Sequence, residues 1–146
     1  MAYSKQNLIP EFILHQNSQH NYQGNFKAAV IFLDISGFTS ITEQLMEYGN
    51  EGAEVLSTVL NNIFSPLTEL VHKHRGFIAN YIGDALIAIF PHDQGLPGRA
   101  LAVAWQIRAK FSENQYQITP WGKFKLSIKM RLTQGKVNWC IVNARQ

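Results

Sequence analysis

Two aspartates stand where chemistry could begin. Asp34 falls at the end of the apolar run 28–35, and Asp84 follows Gly83 between two further apolar runs, 77–82 and 85–90. Two carboxylates brought together beside apolar strands repel each other, and neither gains from desolvation. Hard divalent cations resolve that conflict, because carboxylate oxygens suit Mg²⁺. Two such ions about 3.5–4 Å apart can activate an attacking oxygen and stabilise a leaving pyrophosphate. Just after Asp34, residues Ser36, Gly37, Phe38 and Thr39 lead into a helix N-terminus, whose free N–H groups can hold phosphates. An aspartate at a hairpin or ahead of a helix is also an ordinary turn or cap residue. Whether the two meet depends on the elements that carry them.

The run 28–35 is rich in Val, Ile and Phe and reads as a strand buried on both faces. Ser40-Ile41-Thr42-Glu43 matches a capping box, so a helix is predicted from there to about Tyr48, where Gly49-Asn50 interrupts it. A longer helix is predicted over 51–74. Leu56, Val59, Leu60, Ile63, Phe64, Leu67, Leu70 and Val71 form its apolar stripe, with a kink expected at Pro66. Strands 77–82 and 85–90 flank Gly83-Asp84, a two-residue connection that favours a type II′ hairpin. A loop over 91–98 precedes a helix over 99–113, which presents Ala100, Val103, Ala104, Ile107 and Phe111 on one side. After a turn at Pro120-Trp121-Gly122, residues 123–132 alternate as a strand with one buried and one wet face, and a last short strand is predicted over 137–142.

The order β-α-α-β-β-α-β-β implies an α+β fold of ferredoxin-like, palm type: a largely antiparallel sheet with helices packed on one face. The crossover through the first helices makes strands one and two parallel, and the hairpin returns strand three antiparallel. If strand three inserts between the other two, its start lies beside the end of strand one. Asp34 and Asp84, 50 residues apart in sequence, then share one sheet edge.

The 146 residues, 46% of them hydrophobic, suit one domain with a real core. Residues 1–26 read as a polar N-terminal arm, whose apolar patch Leu8–Leu14 packs on the domain or on a partner; the body is residues 27–146. A net charge of +3 is too mild to argue for nucleic acid. No apolar run is long enough for a membrane span, and the single cysteine, Cys140, fits a cytoplasmic protein. His72 and His74 sit two apart on a helix and do not face each other; His15, His20 and His92 show no ligand spacing. Lys123, Lys125, Lys129 and Arg131 read as a solvated strand face, Cys140 as a packed thiol, and Trp105, Trp121 and Trp139 as core or interface residues.

Phe32-Leu33-Asp34-Ile35-Ser36-Gly37-Phe38-Thr39 resembles the first metal motif of class III adenylyl and guanylyl cyclases. The stretch Gly76 to Phe90, with Tyr81-Ile82-Gly83-Asp84-Ala85 at its centre, resembles the second. Ile9-Pro10-Glu11-Phe12-Ile13 and Gly135-Lys136-Val137-Asn138-Trp139 are similar to the soluble-type adenylyl cyclases. The resemblance implies that Asp34 and Asp84 bind two divalent cations, Mg²⁺ or Mn²⁺, with the Ile35 carbonyl completing one site. It implies that the amides of Ser36, Gly37, Phe38 and Thr39 cradle a triphosphate. The reaction would be attack of the ribose 3′-oxygen of ATP, or of GTP as the alternative, on the α-phosphate. A second cyclase domain, as homo- or heterodimer partner, would supply the other half of the site.

Three departures accompany the resemblance. Asn80 stands where many members carry a base-recognising Lys, so base selection rests on an amide. The family's transition-state Asn and Arg are not matched, because Val142-Asn143-Ala144-Arg145 comes too early and with the wrong spacing. The sequence stops where the family domain continues, so the cyclase domain is expected to be incomplete at its C-terminus and weakly active or inactive alone. The rival readings are a non-catalytic cyclase-like regulatory or dimerisation module, and a palm-type polymerase relative that shares only the fold.

Overall fold

The computed structural model describes residues 9–92 and 98–142. The start of the arm, most of the loop 91–98 and residues 143–146, with the Asn143 to Arg145 stretch, lie outside them. The elements run α1 (Glu11–Ser18), β1 (Gln23–Ser36), α2 (Phe38–Met46), α3 (Gly49–Lys73), β2 (Phe77–Ile82), β3 (Ala85–Pro91), α4 (Arg99–Glu113), β4 (Tyr116–Thr119), β5 (Gly122–Lys125) and β6 (Ser127–Cys140).

The main sheet has the order β2-β3-β1-β6, with every neighbouring pair antiparallel. Strand β3 therefore lies between β1 and β2, as the crossover and hairpin require. Gly83 has φ +61, which suits the first position of a type II′ turn, and no positive φ occurs at Asp84. Ile82 pairs with Ala85 across that two-residue turn.

One face of the sheet forms the core. Ile31, Leu33 and Ile35 of β1 and Leu86, Ala88 and Phe90 of β3 are buried against Val59, Ile63, Phe64, Leu67 and Val71 of α3 and Val103, Ile107 and Phe111 of α4. These are the stripes that the three- and four-residue steps marked. Pro66 lies inside α3 without ending it. Arg99 fastens the packing: its guanidinium donates to the carbonyls of His74 (2.8 Å), at the end of α3, and of Pro91, at the end of β3. A cation on the last carbonyls of a helix also suits its dipole.

Four local expectations change. Helix α2 starts at Phe38, with Gly37 as N-cap, and not from a capping box at Ser40. Gly37 adopts φ +94, a left-handed conformation that glycine alone takes freely, so the chain turns into the helix earlier. Strand β6 runs unbroken through Gly135, because β1 extends back to Gln23 and pairs with it along its whole length. Residues 122–125 leave the sheet to pair with β4 as a separate hairpin. Cys140 is exposed and is not a packed thiol.

The arm adds a short helix. By register, Phe26, Phe77 and Trp139 lie on the sheet face away from the core, and Phe12 of α1 packs on all three at centroid distances of 5.0, 5.3 and 5.4 Å. Since α1 has no buried residue, this aromatic cluster holds it. Replacing Phe12 by alanine is expected to cost about 1–3 kcal/mol in urea unfolding, from the lost aromatic contacts. Among the described residues no helix is long and apolar enough to cross a membrane.

Candidate functional site

The site grows from strand register. Asp34, near the end of β1, lies opposite Ala85 at the start of β3. One residue on, the Ile35 N–H donates to the Asp84 carbonyl at 3.1 Å. The backbones that carry the two aspartates are thus joined directly where strand end meets hairpin. Both residues are half-buried. Among the described residues, neither carboxylate meets a hydrogen-bond donor or an ion-pair partner.

Directly opposite residues of antiparallel strands share a sheet face. Leu33, Leu86, Tyr81 and Met130 form a row on the core face. The next row, Ile82–Ala85–Asp34–Lys129, therefore lies on the open face, as does Asn80–Ile87–Phe32–Arg131. Asn80 and Arg131 stand at opposite edges of the four-stranded sheet, three strand spacings or about 14 Å apart. Asn80 is exposed and adjoins a bulge in β2. Lys129 and Arg131 are also exposed, on what the sequence shows as a wet strand face. Their alternation was visible; that the wet face is also the aspartate face follows only from pairing with β1.

The turn after Asp34 supplies backbone donors. Ser36 ends β1 half-buried, Gly37 reverses the chain, and Phe38 and Thr39 open α2. The α2 N-cap has no side-chain hydrogen bond, and its first turn has no acidic residue. Its first N–H groups are thus open to an anion, with the helix dipole in its favour. The oxygen donors here, two carboxylates and the Ile35 carbonyl, fit a hard cation. Among the described residues no group of three or more His, Cys, Asp or Glu side chains could hold a metal. A bound ion would need further oxygens from substrate and water, as Mg²⁺ commonly does. A cleft of about 620 Å³ lies elsewhere, between α1 and the sheet, lined by Phe12, His15, Phe77 and Trp139.

A four-stranded antiparallel sheet with an acidic hairpin beside a helix-opening turn is an architecture that nucleotidyl cyclase domains share with other palm-type folds. The pattern of the adenylate and guanylate cyclase catalytic domain matches residues 21–145, and the chain belongs to that family. Human adenylate cyclase type 10 is 35% identical over 86 residues, which are 56% of this chain and 5% of that protein. An adenylate cyclase of Anabaena cylindrica is 30% identical over 115 residues, 76% of this chain and 21% of its own length. The chain thus spans a minor part of these relatives. A bacterial light-regulated adenylyl cyclase shares the fold with a TM-score of 0.71 at 19% identity, over 95% of this chain and 40% of its own.

Proposed function

We propose that the chain is the metal-binding half of an adenylyl cyclase, converting ATP to 3′,5′-cyclic AMP and pyrophosphate. The observation that carries this is the pairing of Asp34 with Ala85 together with the hydrogen bond from the Ile35 N–H to the Asp84 carbonyl, at one strand end. Family membership and the two adenylate cyclase relatives support it. Asp34, Asp84 and the Ile35 carbonyl would hold two divalent cations, Mg²⁺ or Mn²⁺. When bound, these ions supply Lewis acidity to the attacking ribose 3′-oxygen and to the leaving pyrophosphate.

The chain's own groups do the rest. The amides from Ser36 to Thr39 hold phosphate oxygens against the end of α2. Lys129 and Arg131, on the Asp34 face, offset the remaining phosphate charge; Arg131 can do so with two parallel donors. Asn80 offers both a donor and an acceptor to a base edge. A second cyclase domain, as homo- or heterodimer partner, supplies the groups that stabilise the reacting phosphate. Lacking them commonly costs about 10³–10⁵ in rate in related phosphoryl chemistry.

The test is calorimetric titration of a non-hydrolysable ATP analogue, with and without Mn²⁺, and of the GTP counterpart. Binding that needs the metal and favours ATP supports the proposal; metal-independent binding, or none at millimolar concentration, overturns it. Arg131→Ala is expected to weaken that binding by about tenfold through loss of a charge-assisted contact, with metal affinity in the absence of nucleotide unchanged. One observation favours a second reading, a regulatory cyclase-like module: the uncharged Asn80 in the base position. Metal-dependent nucleotide binding with no cyclic product in any domain pairing would select it.

A further inference from the structure

We infer that the β4–β5 hairpin is a splint for the phosphate-binding turn, with Trp121 at its tip as a positioning residue. The inference rests on the cyclase reading for its functional consequence, but its structural part stands alone. Helix α2 is short, nine residues, and carries the proposed phosphate amides at its first turn. The hairpin region touches it at both ends.

At the front, the strand leaving the hairpin passes Gly37 at backbone distance. A Cβ on Gly37 would come within 2.9 Å of the Lys125 carbonyl oxygen and 3.3 Å of the Leu126 side chain. At the rear, Tyr48, just beyond α2, stacks on Trp121 with ring centroids 4.3 Å apart and planes 12° apart. The hairpin is itself braced. The Leu126 N–H donates to the Gln115 carbonyl at 2.8 Å, and the Trp121 N–H donates to Thr119 Oγ1 at 3.2 Å. Trp121 and Phe124 also pack on the core. Free amides at a helix start are useful only if that start is fixed, since a misplacement of about 1 Å can cost about 10²-fold in such chemistry. Helix α2, with only Ile41 and Leu45 buried, is not held by its own core contacts alone.

The experiment compares Tyr48→Ala and Trp121→Ala, which break the stack from either side, with Trp121→Phe as rescue and Trp105→Ala as control. Trp105 is 60% exposed on α4, where its ring meets Arg108 of the same helix. Tyr48 is 46% exposed, so its removal does not empty the core. Amide hydrogen exchange is read across the chain without nucleotide, and metal-dependent binding of the ATP analogue is read in parallel. Expected for both alanine variants is exchange in α2 about tenfold faster, with β3 and α4 unchanged and nucleotide affinity lowered. Trp121→Phe should restore both readouts, and Trp105→Ala should move neither. Unchanged exchange in α2 for Tyr48→Ala, or acceleration spread evenly over all elements, overturns the inference. If the unaltered protein binds no nucleotide, the cyclase reading fails, while the exchange pattern still decides the splint.

Discussion

Asp34→Ala is expected to abolish metal-dependent nucleotide binding while leaving the fold as stable as before, and Asp84→Ala to do the same. Both carboxylates lack a protein donor among the described residues, so truncating either strands no buried partner. Stability should therefore stay within about 0.5 kcal/mol of the parent in urea unfolding, the usual range for surface substitutions. Binding behaves otherwise. Even a unit charge about 4 Å from a second charge contributes about 4 kcal/mol at an effective dielectric of 20. That is about three powers of ten in affinity, enough to push a weak half-site beyond calorimetric detection. The two substitutions should not add, because either one dismantles the shared site. If Asp34→Ala binds the metal–nucleotide complex as well as the parent, the nucleotide sits elsewhere.

The aspartate pair was legible because both residues close apolar runs whose strand character is strong. The β2–β3 hairpin has only two residues, so Asp84 could hardly lie elsewhere than at a strand start. The stripes of α3 and α4 were legible for the same reason: burial on one side imposes the three- and four-residue steps. What escaped rests on contacts between distant segments. The arm helix α1 buries nothing and is held by Phe12 on Phe26, Phe77 and Trp139, a cluster that no local pattern announces. The extension of β1 back to Gln23 runs through Gly24, Asn25 and Lys27, and β6 continues through Gly135 and Lys136, with little apolar pattern at those positions; each segment is a strand because the other pairs with it. The β4–β5 hairpin has four residues per strand, and Phe124 keeps the alternation that continues into β6, so no local pattern marks the break between them. Lys129 and Arg131 looked like a solvated face because strand polarity tells which residues share a side, and only register tells what lies on it.

Gly52→Ala is expected to be the most destabilising single-methyl substitution among the described glycines. Gly52 is buried in the first turns of α3, in a segment whose helical pattern would ordinarily favour alanine by about 1 kcal/mol. Propensity alone therefore predicts a gain. The packing reverses the sign. A Cβ at Gly52 would stand 1.6 Å from the Leu45 carbonyl oxygen and 2.6 Å from its carbon. That oxygen belongs to the backbone at the end of α2 and already accepts the Tyr48 N–H at 3.1 Å, so no side chain can rotate aside. The helices must separate, which disturbs Ile41 and Leu45, both fully buried. Overpacking of this kind costs about 3 kcal/mol at the upper end of its usual range; set against the propensity gain, the net loss should be about 2 kcal/mol, with Tm lowered by about 6 °C. Gly135→Ala is the matched control: nothing lies within 4 Å of its Cβ position, and its stability should change by less than about 0.5 kcal/mol. Because α2 begins at the phosphate turn, Gly52→Ala should also weaken nucleotide binding at temperatures where the protein remains folded. A Gly52→Ala protein with unchanged Tm would mean that α2 and α3 are not in direct backbone contact there, and that the turn after Asp34 takes its position from the β4–β5 hairpin alone.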